Sequence, residues 1–124
     1  MISWLPGSPA DLEKKENQFQ LDVLGESLTL ILMAGRYRGG RLAIESYELS
    51  GEPWGVLTVN LPEARDLAAD EIIVKTWSEN EIWVPQLLTV LPHVFEDTGR
   101  RIPAGYTQAQ VWKLKVPIQG EEGK

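Results

Sequence analysis

Residues 41–61, RLAIESYELSGEPWGVLTVNL, contain two apolar runs separated by a polar turn. The runs at 42–49 and 54–61 are rich in aliphatic, aromatic and β-branched side chains, which fit the half-buried surface of a sheet. Gly51 and Pro53 interrupt the pattern between them, because glycine adopts positive φ easily and proline lacks an amide donor. This order predicts an antiparallel hairpin. We call residues 41–61 the central hairpin.

Further strands are predicted on both sides of the central hairpin. Residues 19–23 alternate apolar and polar side chains, and residues 27–37 are apolar on both faces, as in a central strand. Gly25 lies between these runs and favours a turn, so they form a second predicted hairpin. Downstream, residues 72–74 and 106–116 also have the composition of strands.

A helix is predicted over residues 79–91. Ser78 and Glu81 have the spacing of a capping box, and flanking apolar residues have the spacing of a hydrophobic staple. Pro85 conflicts with this helix, because it would lie beyond the first turn, remove one backbone bond and favour a kink. After the helix, residues 94–102 have the composition of a loop.

These elements predict one domain of the α+β class. An antiparallel sheet of about five strands is built from hairpins, and one main helix packs on it over the central hairpin. The length of 124 residues fits a single domain. We expect residues 1–17 to form an N-terminal arm, residues 18–117 the domain and residues 118–124 a polar tail.

The composition limits the chemistry and the location of the protein. The chain has no cysteine, which excludes disulfides and thiolate catalysis. Its apolar runs are too short to span a membrane. The first residues lack the basic and apolar regions of a secretory signal, so we expect a cytoplasmic protein without a membrane partner.

The formal net charge is -6, from 18 acidic and 12 basic residues. Direct nucleic-acid binding is disfavoured, because phosphate contacts need clustered lysine and arginine. The most acidic stretch lies between residues 63 and 81, and it forms either a solvated loop or an acidic rim for a basic partner. Under the second interpretation the partner-binding candidates are Glu63, Asp66, Asp70 and Glu71.

Five tryptophans in a chain of this length form a second group of candidates. Tryptophan is common in cores and is also enriched at binding hot spots. Partial burial in the core is the favoured interpretation for these tryptophans. Trp4 and Trp83 have polar or turn-forming neighbours, so these two are the ones most expected at the surface, and Trp83 joins the partner-binding candidates.

One turn combines arginines with an aromatic residue. Arg36, Arg38 and Arg41 surround Tyr37 and two glycines. Arginine and aromatic planes can stack on RNA bases, so this turn is the nucleic-acid-binding alternative. The simpler interpretation is a Gly-Gly turn with solubilising arginines.

The single histidine, His93, is followed closely by two acids. A metal site needs several ligands in fixed geometry, and the chain also lacks a nucleophile elbow and a phosphate-binding glycine motif. We therefore predict no catalytic residue, no metal site and no cofactor. A pocket near His93 is kept as an alternative, in a small-ligand-binding protein or a small hydrolase-like enzyme.

Several short segments resemble domain-of-unknown-function family 4313. They are Leu-Ala-Ile at 42–44, Gly-Glu-Pro at 51–53, Leu-Thr-Val-Asn-Leu at 57–61, Ser-Glu-Asn-Glu at 78–81 and Gly-Tyr at 105–106. The family consists of small proteins of plasmids, conjugative elements and phages. The resemblance implies mobile-element origin and a compact α+β fold, and it implies no activity or functional residue.

The function predicted from these observations is protein binding without catalysis. The partner is expected to be a protein, in the sharper form a basic nucleic-acid-binding protein. The chain would then be an anti-defence inhibitor, either anti-restriction or anti-CRISPR, whose acidic residues mimic the charge of nucleic acid.

Overall fold

The computed structural model describes residues 18–61, 64 and 66–115. Within these residues the chain forms seven strands, one 3₁₀ helix and one α-helix. The strands are β1 (Gln18–Val23), β2 (Glu26–Arg36), β3 (Leu42–Glu48), β4 (Pro53–Val56), β5 (Glu71–Val74), β6 (Phe95–Ala104) and β7 (Thr107–Leu114). The 3₁₀ helix is Ser78–Ile82, and the α-helix, α1, is Val84–Val90. The predicted arm at 1–17, Glu63 and the tail at 118–124 lie outside the described residues.

The α+β class is confirmed, but the prediction of one sheet of about five strands is wrong. The described strands form two antiparallel sheets, with the orders β1-β2-β3-β4 and β5-β7-β6. The sequence pattern does not reveal this division, because both sheets have strands with apolar residues on two faces.

The first sheet contains both predicted hairpins. Its register places Ile31 of β2 between Gln18 of β1 and Tyr47 of β3. On the other side of β3, Glu45 is opposite Val56, and the register shifts at the next position. The central hairpin is therefore confirmed, although β4 ends five residues earlier than the predicted strand.

The second sheet contains a strand where a loop was predicted. Residues 94–102 fall largely in β6, which pairs with β7 along both halves of its length. The register shifts between Asp97 and Arg101, and Gly99 within this bulge has φ of 86°. The bulge interrupts the alternation of side chains, which explains why the sequence pattern does not indicate a strand.

The buried apolar side chains form two cores. The larger core lies between one face of each sheet and the helical segment, and it includes Phe19, Leu30, Ile44, Val74, Trp83, Leu87 and Trp112. We call residues 62–71, which follow the central hairpin, the connector. The smaller core lies on the other face of the second sheet, where Ile73, Ala109 and Val111 pack with Ala64 and Leu67 of the connector. Ala64 and Leu67 therefore cover part of this sheet face.

The helical segment differs from the single predicted helix. Ser78 has φ of 58° and makes no capping bond with its side chain, so the predicted capping box is wrong. Pro85 falls in the first turn of α1, where its missing amide hydrogen removes no helical bond. The predicted kink is therefore absent. No helix in the described part of the chain is long and apolar enough to cross a membrane.

Candidate functional site

Trp83 is buried and joins the helical segment to the central hairpin. Only 1% of its surface is exposed, so the prediction of a surface tryptophan is wrong. Its ring meets that of Trp54 edge-on, with the centroids 5.2 Å apart. Trp83, which joins the 3₁₀ helix to α1, therefore packs on the central hairpin, whereas α1 itself contacts β1 and β6 and does not cover the hairpin as predicted. Trp4, the other tryptophan expected at the surface, lies outside the described residues.

Asn80 supports this contact from the 3₁₀ helix. Its Oδ1 accepts a hydrogen bond from Trp83 Nε1 at 3.2 Å. Its Nδ2 donates to the carbonyl oxygens of Val56 at 2.8 Å and Lys75 at 2.9 Å. All three bonds are buried or partly buried, so Asn80 has a structural role that the capping pattern in the sequence did not reveal.

The acids of the connector are interleaved with basic side chains and backbone contacts. Asp70 lies 3.8 Å from the ammonium group of Lys113. Glu71 accepts the backbone N–H of Ala68 at 2.9 Å, and the guanidinium of Arg100 donates to the carbonyl oxygen of Asp66 at 2.9 Å. The described part of the predicted acidic rim is therefore not a continuous acidic face.

The arginine turn contacts this same connector. Arg41 donates to the carbonyl oxygens of Leu61 and Ala64, and Arg36 donates to that of Gly40. These guanidinium groups hold backbone in place, although Arg36, like Arg38, is exposed.

The turn and the connector border one cleft of about 530 Å³. Arg36 and Arg41 line this cleft, together with Asp66 and Glu71. The structure thus brings the basic and acidic candidates together, and their charges partly offset each other.

His93 lies at the surface after α1. It does not line the cleft at the arginine turn. Within residues 18–61, 64 and 66–115, no three acids or histidines are grouped closely enough to hold a metal ion.

A different acidic group lies on the central hairpin. Glu45, Glu48 and Glu52 form no ion pair with any described lysine or arginine. The backbone N–H of Glu48 donates to the carbonyl oxygen of Glu52 at 2.9 Å, so these two residues flank one tight turn. Glu45 lies three residues before Glu48 on β3 and accepts a bond from the hydroxyl of Tyr47 at 3.4 Å. One hairpin thus carries three carboxylates without a cationic partner in the part of the chain that the structure describes.

Two large apolar side chains are exposed beside these carboxylates. Leu49 in the turn is 55% exposed, and Val56, opposite Glu45, is 42% exposed. The register places Glu45 beside Val56 on the outer face of the sheet and Glu48, opposite Leu30, on the other face, so these side chains are grouped around the turn end of the hairpin and not on one face. We call Glu45, Glu48, Leu49, Glu52 and Val56 the acidic hairpin surface. Glu48 and Glu52 could have been found in the sequence, because they flank the predicted turn. The position of Glu45 beside Val56 depends on the register of the bulged strand pair.

The clear pKa shifts among the carboxylates of the described residues occur away from this surface. A hydrogen bond from Lys75 lowers the pKa of Glu79, and a hydrogen bond from Arg101 lowers that of Asp97. Both shifts arise from ion pairs between residues four apart in the sequence. Such structural pairs perturb pKa values without marking a catalytic site.

No protein-family model, curated protein or solved structure matches this chain. The resemblance to domain-of-unknown-function family 4313 therefore stays a prediction.

Proposed function

We propose that the chain is a non-enzymatic protein-binding module that uses the acidic hairpin surface to bind a basic partner. The observation that carries this proposal is a set of three carboxylates that have no ion pair among the described residues and lie near exposed Leu49 and Val56. Unpaired surface charge steers a partner of opposite charge, while the apolar side chains provide contact area to bury. The connector is a weaker candidate, because arginine and lysine side chains contact it.

The sharper form of the proposal concerns the kind of partner. A basic groove that normally binds nucleic acid would accept a hairpin end carrying several carboxylates, because the lysine and arginine side chains that attract phosphates also attract carboxylates. The net charge of -6 and the resemblance to proteins of mobile elements support this form. In it the chain is a cytoplasmic anti-defence inhibitor of mobile-element origin, acting on a restriction or CRISPR protein.

The test is affinity capture from a bacterial lysate with three versions of the full chain. One is the natural sequence, and the second carries Glu45→Gln, Glu48→Gln and Glu52→Gln. The third, a matched control, carries Asp66→Asn, Asp70→Asn and Glu71→Gln, which changes the net charge by the same amount in the connector. Each captured protein is then challenged with double-stranded DNA.

The proposal predicts a partner that is captured by the natural chain and by the connector variant, but not by the hairpin variant. The sharper form also predicts that DNA displaces it. A partner lost only with the connector variant would contradict the assignment of the surface. A partner retained in excess DNA would contradict nucleic-acid mimicry but not protein binding.

A further inference from the structure

Opposite charges border the cleft at the arginine turn without pairing across it. The cleft has a volume of about 530 Å³, and Arg36, Arg41 and Glu71 are among the residues that line it. None of these three side chains forms an ion pair with another described residue. Both signs of charge are therefore available to a molecule that enters the cleft.

Two guanidinium groups provide the cationic side of the cleft. Arg36 donates to the carbonyl oxygen of Gly40 at 2.7 Å, and Arg41 donates to that of Ala64. Gly40 and Ala64 also line the cleft, so these bonds place both guanidinium groups at its wall. The described bonds use only some of the N–H donors of each group. The remaining donors can bind a carboxylate, whose two oxygens match the fork of an arginine.

One carboxylate provides the anionic side of the cleft. Glu71 is half-buried, and one of its carboxylate oxygens accepts the backbone N–H of Ala68 at 2.9 Å. Ala68 lines the cleft as well, so this bond holds the carboxylate at the wall. The second oxygen accepts no hydrogen bond from a described residue. It is therefore available to an ammonium group.

Apolar side chains form another part of the wall. They are Leu42, Val59, Leu67, Ile72 and Ile73. Small-molecule sites commonly have volumes of about 300–1,000 Å³ and combine apolar walls with a few placed polar groups. The cleft has a volume in this range, and its charges are held in place by backbone contacts before any ligand binds. Such preorganisation lowers the entropic cost of binding.

We propose that this cleft binds a small zwitterionic molecule, namely an amino acid or a short peptide with free ends and an apolar side chain. Arg36 and Arg41 bind its carboxylate, and Glu71 binds its ammonium group. A simple anion is disfavoured by Glu71 and by Asp66, which also lines the cleft, and a simple cation is disfavoured by the two arginines. The site shares no residue with the acidic hairpin surface, so it does not depend on the proposed protein binding.

The test titrates the isotope-labelled full chain with leucine, leucyl-alanine and leucyl-alanyl-alanine and follows the NMR signals. These probes carry the same two charges at increasing separation, so they distinguish a free amino acid from a peptide. The proposal predicts that at least one probe shifts the amide signals of Gly40 and Ala68 and the methyl signals of Ile72. Acetylation of the amino end, or amidation of the carboxyl end, should weaken binding about tenfold, because each removes a charge-assisted bond. No shift with any probe, or equal binding of the blocked forms, would overturn the proposal.

Two variants assign the ends of the bound probe. Arg36→Gln should weaken binding of the probe with free ends several-fold but leave the amidated form unchanged, and Glu71→Gln should likewise spare only the acetylated form. Glutamine keeps a donor at the first position and an acceptor at the second, so both backbone contacts can persist. Arg38→Gln is the matched control, because Arg38 is exposed in the same turn and does not line the cleft. Equal weakening of the free and blocked forms in both variants would overturn the proposal.

Discussion

The indole ring of Trp83 packs so closely on Gly55 that a β-carbon there would lie 3.0 Å from its Cζ2 atom. Gly55 has no positive φ, so this glycine is required by close approach and not by backbone conformation. Since the indole N–H is held by Asn80, the ring cannot withdraw without losing a hydrogen bond. This contact fixes the helical segment against the central hairpin.

Gly55→Ala is therefore expected to lower the free energy of unfolding by about 1–3 kcal/mol, the usual cost of overpacking a core. Gly35→Ala is the matched control, because a β-carbon there would meet nothing within 4 Å and Gly35 also lies in a strand of the first sheet. Urea denaturation measures the free energy of unfolding of both variants. Equal changes in the two variants would show that Trp83 is free to move away.

Asn80→Ala is expected to cost roughly 2–4 kcal/mol, because buried groups that lose their partner are expensive. The variant leaves the carbonyl oxygens of Val56 and Lys75 and the indole N–H of Trp83 without the amide. Glu81→Ala changes the next residue, which is exposed, and should alter the free energy of unfolding by less than about 0.5 kcal/mol. An Asn80→Ala variant as stable as the natural protein would refute this role of the amide.

Substitutions of Ser78 should have opposite effects on stability if this residue caps a helix and if it only has the positive φ seen in the structure. A capping serine loses about 1 kcal/mol when replaced by alanine and is not improved by glycine. With φ of 58° and no capping bond, Ser78→Gly should instead stabilise the protein by about 0.5–1 kcal/mol. Thermal unfolding of Ser78→Gly and Ser78→Ala distinguishes the two. A large loss in Ser78→Ala with no gain in Ser78→Gly would restore the capping box.

Asp97 makes a pH-dependent contribution to stability at the bulge of β6. Its two carboxylate oxygens each accept a bond from Arg101 at 2.9 Å, and these bonds lower its pKa. A carboxyl whose pKa is lower in the folded protein contributes its full stabilisation of the fold above its unfolded pKa of about 3.9. This contribution is lost as the pH falls through the lower pKa of the folded state.

Asp97→Asn should therefore cost about 0.5–1 kcal/mol at neutral pH, the range of a well-formed surface pair. The difference from the natural protein should shrink as the pH falls below about 4. Glu96→Gln, at an exposed neighbour without an ion pair, is the control and should show little change at either pH. A cost that is the same at pH 3 and pH 7 would contradict the ionic origin.

The strands of the first sheet were predictable because their local pattern agrees with their packing. Residues 19–23 alternate strictly, and β1 buries the apolar set on one face. The alternation in β6 is broken by its bulge, and the end of the predicted hairpin strand leaves the sheet after Val56, so local patterns fail at both places.

The candidate surfaces were less predictable, because charge pairing depends on distant residues. Asp70 meets Lys113, and Arg41 reaches the connector about twenty residues downstream. Trp83 has polar neighbours in sequence but packs against Trp54 and Gly55 of another element. Only the structure therefore shows which acids keep an unpaired charge.

The most direct test of the proposed surface is the affinity of a captured partner, measured by titration calorimetry at several salt concentrations. The account predicts that the triple glutamine variant at Glu45, Glu48 and Glu52 binds about tenfold more weakly at low salt, since three charges of about 0.5 kcal/mol each give that factor. Its affinity should also depend less on salt, while the connector variant stays close to the natural chain. A hairpin variant that binds as tightly as the natural chain would contradict the account.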